Sequence, residues 1–242
     1  MVNKKSIKSN HPISYNSDAL KMLKKVSDEL FSRNIHHKVE KNSIKTRKSK
    51  TNIPKLNKDV AYLLGVIEGD GSLNISKRKR GGYHYLLRIY SGDMRYIKYL
   101  QLLINKLFLI KTKVRKDKRK ESSYYLKIEN APLFFYFASL GSEVGKKCKG
   151  TIPKIVERNK TYASHYLAGL VDTDGSIYGK RIQLKQKRKN LINNINELRF
   201  KLGIDCSSQK INYTNNFPFY YIRFDNKIPL RYKINNFLNQ KK

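Results

Sequence analysis

Four acidic residues stand in two matched pairs, Glu68 with Asp70 and Asp172 with Asp174, each at the end of a helix-like stretch and followed by Gly-Ser (Gly71-Ser72 and Gly175-Ser176). A carboxylate at a helix C-terminus is disfavoured by about 0.3 to 1 kcal/mol, because the helix dipole is negative there. Compensation has to come from Lys or Arg, or from a divalent cation held by hard oxygen ligands. The glycine after each pair is expected to supply the left-handed residue that turns a helix sharply into a strand. The carbonyls of Gly69 and Thr173 are then left free as further oxygen ligands. Two carboxylates beside a polyanion are the parts of metal-assisted phosphodiester hydrolysis, in which ions bridge the phosphate, lower the pKa of a water and stabilise the leaving oxygen. The competing reading is that this corner is kept for helix packing, since one Gly-Asp-Gly more often marks an ordinary turn.

The elements that must position these acids occur twice. AYLLGVIEGDGS (61–72) aligns with HYLAGLVDTDGS (165–176), NKLFLI (105–110) with FKLGID (200–205), and YYLKIEN (124–130) with YYIRFDN (220–226), in the same order. Three matched blocks mean two copies of one unit. Each copy reads as a helix (59–69; 161–173), two strands, a helix (95–108; 190–202), two strands (112–118 and 123–129; 207–213 and 219–225) and a closing helix (132–140; 230–238). The fold class is α+β: two αββαββα units related by a pseudo-twofold, with antiparallel sheets. Small residues line the first helix of each copy (Gly65 and Gly69; Ala168, Gly169 and Thr173), so the two helices can approach closely and bring Asp70 and Asp174 together.

Charge identifies the class of partner. The 242 residues carry 52 Lys and Arg against 18 Asp and Glu, a formal charge of +34, which selects for a polyanion. Strand alternation supplies the contact face. Leu73, Ile75, Leu87 and Ile89 are assigned to the core, so Asn74, Ser76, Arg78, Arg80, His84 and Arg88 project to the other side. In the second copy Tyr178, Arg181 and Gln183 take equivalent places, with Lys113, Arg115, Lys127, Lys210 and Arg223 on the outer strands. Arg, Gln and Asn on a two-stranded ribbon suit base edges in a major groove, and lysines suit phosphates. Two saddle-like sheets of this kind match a long asymmetric duplex.

LLGVIEGDG (63–71) and LAGLVDTDG (167–175) resemble the paired signature of the LAGLIDADG homing endonucleases in their single-chain form, and the short second hairpin looks like that of archaeal intron-encoded members. The resemblance covers about residues 59 to 242. It implies a monomeric, site-specific double-strand DNA endonuclease whose signature helices form the domain interface and whose last motif acids bind Mg²⁺, with Mn²⁺ as substitute. Those acids are Asp70 and Asp174, with the Gly69 and Thr173 carbonyls as secondary ligands. It further implies a solvent-positioning glutamine at Gln186, where the first copy has Ser91, and a basic active-site residue at Lys147 or Lys149. For either lysine, plain phosphate contact is the favoured alternative. The rival function is a non-cleaving or bifunctional binder on the same fold, an intron-RNA maturase or a transcription regulator; a ribosomal-type RNA-binding protein fits the duplicated acids less well.

The first unit is taken as 59–157 and the second as 158–242. Residues 1–58 form a basic extension with one amphipathic helix over 18–33, in which Leu20, Leu23, Val26, Leu30 and Phe31 recur at helical spacing, followed by a solvated linker over 41–58. Cys148 and Cys206 are too few for a disulfide framework and lack zinc spacing. No run reaches the roughly 20 apolar residues of a membrane span, and the N-terminus has no secretory h-region. The expectation is an intracellular protein of the cytoplasm or nucleoid, or of an organelle matrix, with no membrane partner.

Overall fold

The computed structural model describes residues 17–47, 49–79, 81–118, 123–178, 181–206, 210–214 and 217–224. The first unit contains α2 (Lys58–Gly69), β4 (Gly71–Lys77), β5 (Tyr83–Ser91), α3 (Met94–Phe108), β6 (Val114–Lys116), β7 (Tyr124–Glu129) and α4 (Ala131–Ser139). The second contains α6 (Lys160–Asp174), β8 (Gly175–Tyr178), β9 (Arg181–Gln186), α7 (Lys189–Leu202), β10 (Lys210–Thr214) and β11 (Phe217–Phe224). Its expected closing helix lies outside the described residues. The sheets have the same antiparallel order, β4-β5-β7-β6 and β8-β9-β11-β10, so the duplication read in the sequence is a duplication of topology.

Side-chain caps set the helix starts. Asn57 accepts from the N–H groups of Asp59 and Val60 to start α2, Asp93 from Arg95 and Tyr96 to start α3, Asn130 from Leu133 to start α4, and Asn159 from Tyr162 to start α6. The nearly all-apolar α4 is buried from Pro132 to Phe137, and Phe134 and Phe135 pack on Tyr85 of β5 with ring centroids 5.4 and 4.9 Å apart.

Helices α2 and α6 lie at the centre and are buried on all sides from Val60 to Glu68 and, in α6, from Tyr166 to Asp172. Their contact is reciprocal. A Cβ on Gly65 would overlap the Tyr166 carbonyl and stand 2.9 Å from the Leu170 nitrogen, and one on Gly169 would overlap the Tyr62 carbonyl and stand 3.0 Å from the Val66 nitrogen. Residues 62 and 65 thus face 166 and 169 across a local twofold.

Two expectations are corrected here. Gly71 and Gly175 are not left-handed: Gly175 has φ −82° and ψ 155°, and Gly71 is absent from the positive-φ glycines. They are required by space, since a Cβ would stand 3.0 Å from the Ile67 carbonyl oxygen at Gly71 and 2.9 Å from Val171 Cγ1 at Gly175. The chain turns from helix directly into an extended strand folded back on the last helical turn.

Residues 41–58 are not a linker. After α1 (Ser17–Ser32), strands β1 (His37–Glu40), β2 (Ser43–Thr46) and β3 (Lys50–Asn52) form an antiparallel sheet against the first unit. The reason is that such short strands need very few inward residues. Ile44 and Thr51 are fully buried, Ser43 is 7% exposed and Ile53 follows at 1%, while Lys38, Lys45 and Lys50 face solvent. Buried polar groups complete the docking: Asn130 Nδ2 donates to Thr51 Oγ1 at 2.8 Å, and Tyr136 donates to the Pro54 carbonyl at 2.8 Å. Helix α1 lies on α4, burying Leu23, Val26 and Leu30 while leaving Leu20 and Phe31 exposed. The short helix α5 (Lys154–Glu157) leads into the second unit.

Candidate active site and nucleic-acid interface

Asp70 caps the C-terminus of α2, with φ −90° and ψ 2°, and Asp174 is the last residue of α6. The two helix ends meet: a Cβ on Gly69 would collide with Thr173 and stand 3.0 Å from Asp174 Oδ2. Burial first, and then the negative charge of Asp70, pushes the Asp174 carboxyl up to about 6. Two hard carboxylates at the negative ends of two helices, one of them held above its ordinary range by burial and then by the other, form a donor set that fits a divalent cation.

The first acid of each pair is satisfied by the protein itself. Tyr62 donates to Asp172 Oδ2 at 2.7 Å and lies 3.1 Å from the Tyr96 hydroxyl. Burial, with Tyr96 and Asp172 beside it, holds the Tyr62 hydroxyl far above the usual phenol range, so it stays a donor. Glu68, at 5% exposure, instead receives Arg188 Nη1 in an ion pair across the unit interface. Burial outweighs Arg188 and Lys147 and keeps the Glu68 carboxyl above its ordinary range. The duplicated motif therefore splits into two structural acids and two close enough for one to raise the other.

Arg188 links this pair to the second acid. Its Nη2 approaches the Glu68 carbonyl at 3.3 Å and Gln186 Oε1 at 3.5 Å, while Gln186 Nε2 donates to Asp174 Oδ2. The sequence reading did not assign Arg188; the available signal was a cation two residues beyond the strand-end glutamine. Replacing it with leucine is expected to cost about 3 kcal/mol, because Glu68 is left as a buried charge without its partner. Urea denaturation of R188L and of E68Q/R188L tests this: the double variant should recover most of the loss, and an R188L midpoint equal to wild type would refute the pairing.

Lys147 reaches the site from a clamped loop. The N–H groups of Cys148, Lys149 and Gly150 donate to the Glu143 carboxylate at 2.9, 3.1 and 3.0 Å, and the Gly145 N–H donates to the Leu73 carbonyl at 2.7 Å. This delivers Lys147 Nζ to the carbonyls of Ile67, Glu68 and Gly69 at 2.5, 2.6 and 3.0 Å. The ammonium caps the negative end of α2, and burial pushes its pKa down to about 8 against the opposing pull of Glu68. Two expectations change as a result. The Gly69 carbonyl is not free, and Lys147 contacts backbone at the acidic corner rather than standing ready as a phosphate contact. Lys149 is exposed, with only its backbone N–H tied to Glu143. Thr173 Oγ1 donates within its own helix, to Leu170 O at 2.9 Å. Ser91, at the place equivalent to Gln186, is buried and accepts from the Asp93 N–H at 3.1 Å.

The strand register places most expected contact residues on one face of each sheet. Ser72, Arg88 and Lys127 form one cross-strand row, Tyr90, Tyr125 and Arg115 another, and Ser76 is paired with His84. Asn74 donates to Ser72 Oγ at 2.9 Å. Arg78 and His84 both hold Glu129 at 2.7 Å, which fixes the far end of the ribbon. Lys113 precedes β6, and Arg80 lies outside the described residues. Ile75 is 39% exposed and is removed from the core assignment; it lines an open groove with Lys25 and Glu29 of α1 and Phe134 and Phe135 of α4. In the second sheet Ser176, Gln183 and Arg223 share a row, with Arg223 Nε donating to Gln183 Oε1 at 3.0 Å, and Lys210 pairs with Tyr221. The backbones of Tyr178 and Arg181 pair across the hairpin. Among the described residues no helix is long and apolar enough to cross a membrane.

Similar proteins share this architecture. The DNA polymerase of Thermococcus sp. (strain GE8) is 25% identical over 150 residues, 61% of this chain and 8% of that protein. An uncharacterized protein of Methanocaldococcus jannaschii is 24% identical over 185 residues, 69% of this chain and 66% of its own length. The chain thus spans less than two thirds of either curated relative. Among solved structures, I-DmoI in complex with DNA and Ca superposes with a TM-score of 0.54 at 24% identity, covering 70% of this chain and 84% of that one. The I-LtrWI LAGLIDADG homing endonuclease bound to target DNA gives 0.50 at 14% identity, covering 76% and 88%. These likenesses establish the two-unit fold. The LAGLIDADG-like domain model matches residues 57–140 and again 161–236, and on that double match, well over half of the sequence, the chain belongs to the LAGLIDADG-like domain family.

Proposed function

We propose that this protein is a monomeric, site-specific endonuclease that hydrolyses both strands of a long asymmetric DNA duplex and thereby promotes the mobility of its own intron or a similar element. The observation that carries the reading is the meeting of Asp70 and Asp174 between two basic sheet faces. Asp70 and Asp174 would hold Mg²⁺, for which Mn²⁺ would substitute, and the bound ion supplies charge neutralisation and an activated water at the scissile phosphate. The chain's own residues do the rest. Gln186 orients the Asp174 carboxylate, Arg188 and Lys147 keep the surrounding helix ends from adding negative potential, and the sheet faces seat the duplex. The Gly65–Gly169 contact sets the separation of the two acids and so the geometry of the two cuts.

Incubating the protein with a randomised duplex DNA library and with a randomised RNA pool, in Mg²⁺ and, in parallel, in Ca²⁺, tests the reading. One long sequence cut only in Mg²⁺ is the expected result. Selective retention of DNA without cutting in Mg²⁺ or Mn²⁺ would replace the nuclease by a binding-only regulator, and selective retention of RNA alone would replace it by a maturase.

A further inference from the structure

The three-stranded sheet that sequence reading took for a linker carries a feature the fold does not explain. Lys38 pairs with Lys45 and Lys45 with Lys50, so three lysines stand directly opposite one another across three strands. All three are exposed. Like charges in this position destabilise a sheet. From 37 to 52 the chain has six Lys and Arg against the single acid Glu40, which pairs with Lys50 at 3.0 Å and Lys38 at 3.8 Å. One carboxylate cannot neutralise the row.

The row is also continuous with the basic face of the first unit. Lys50 shares a groove of about 530 Å³ with Lys111, Lys113, Arg115 and Lys127. The last two also line the next groove along, with Arg88 and Tyr90 on the sheet face. The attachment point fixes where along the sheet this happens. Strand β4 starts beside Asp70 and ends at Lys77, opposite Tyr83, and β7 ends at Glu129, opposite Leu86 and so level with Asn74. Asn130 follows immediately and holds Ser49 and Thr51, and Asn52 donates to the Leu107 carbonyl at 2.6 Å. The small sheet is therefore anchored beside the middle of the ribbon, toward the half that is farther from the acids.

We propose that the β1–β3 sheet is a second duplex-binding surface, whose Lys38–Lys45–Lys50 row grips backbone phosphates on the outer flank of the first unit's half-site. The inference rests on the duplex-DNA reading above and deepens it. From Gly71 to Asn74, level with Glu129, four residues of β4 at about 3.3 Å each span about 13 Å, or roughly 4 base pairs at about 3.4 Å per step. Contacts from the row thus fall at or beyond about 4 base pairs from the centre of the site, on one side. The segment ahead of the second unit holds just the Lys147 loop and the one-turn helix α5, so the footprint is lopsided.

The test is hydroxyl-radical footprinting and salt titration of K38Q/K45Q/K50Q on the duplex selected by the wild-type protein. A control triple, K154Q/K160Q/K201Q, removes three exposed charges elsewhere. The row variant should lose protection only on the outer first-unit flank, and the slope of log K against log salt should flatten by about 2 to 3, at about 0.9 per phosphate released. The control should keep both the flank and the slope. Melting temperatures equal to or above wild type will show that the row variant folds. An unchanged outer flank, or a slope change matched by the control, overturns the inference while leaving the nuclease reading intact. A wild-type protein with no footprint on any selected duplex overturns that reading and this inference with it.

Discussion

Replacing Asp174 or Asp70 by asparagine is expected to reduce duplex cleavage by at least about 10³-fold, the loss of several kcal/mol of metal-assisted stabilisation. The same variants should retain specific DNA binding. Stability should move the opposite way. Because burial and the charge of Asp70 push the Asp174 carboxyl from 3.8 up to about 6, its ionised form is a burden on the metal-free fold, on the order of 3 kcal/mol at about 1.4 kcal/mol per unit. The sign follows from linkage: a carboxyl whose folded pKa is raised binds its proton more tightly in the native state, so metal-free stability falls as pH rises from about 4 through 6. Glu68, also raised by burial, adds in the same direction. D174N should therefore melt higher than wild type at pH 7 without metal, and Mg²⁺ should raise the melting temperature of wild type more than that of D174N. Cleavage within tenfold of wild type by D70N and by D174N would remove the two carboxylates from the chemistry. A D174N protein less stable than wild type at pH 7 would show that Asp174 is instead a structural acid satisfied by Gln186.

The second large effect concerns the helix contact that brings those acids together. Gly65→Val and Gly169→Val are each expected to cost more than about 4 kcal/mol, which for a chain of this size lowers the melting temperature by about 10 °C or more. Ordinary overpacking is relieved by side-chain movement. Here the added atoms meet the Tyr166 and Tyr62 carbonyls and the Leu170 and Val66 nitrogens, and backbone inside a helix cannot yield without separating the helices. Separation would also pull Tyr62 from Asp172 and Arg188 from Glu68, so the loss should be cooperative rather than local. Thermal unfolding followed by circular dichroism measures it. A shift of less than about 2 °C for both variants would mean that the helices do not meet at these glycines in solution.

How much of this was legible in the residues differs between parts of the molecule. The αββαββα order, the boundaries of α2, α3, α6 and α7 to within one or two residues, and the meeting of Asp70 with Asp174 follow from local periodicity and internal repetition. Duplication makes them readable, since a pattern that occurs twice specifies both the unit and its symmetric contact. The N-terminal sheet was not readable. Its three strands bury only Ser43, Ile44 and Thr51, with Ile53 just after them, too few apolar residues to show a period of two, and their partners Asn130 and Leu107 lie 79 and 55 positions away.

The same division runs through the site. Side-chain type and helix position by themselves determined that four acids at two helix ends require compensation, and that a chain of +34 seeks a polyanion. Which acid receives which compensation was decided only by tertiary structure. Tyr62 reaches Asp172, and Arg188 reaches Glu68 across the unit interface from 120 residues away, while Lys147 arrives on a loop tied down by Glu143. Asp70 and Asp174 stay close enough that the charge of Asp70 helps to raise the Asp174 carboxyl. Helix-end electrostatics are local, and so they can be read along the chain. Neutralisation of a buried charge depends on whichever group lies within about 3 Å, and chain order does not set that distance.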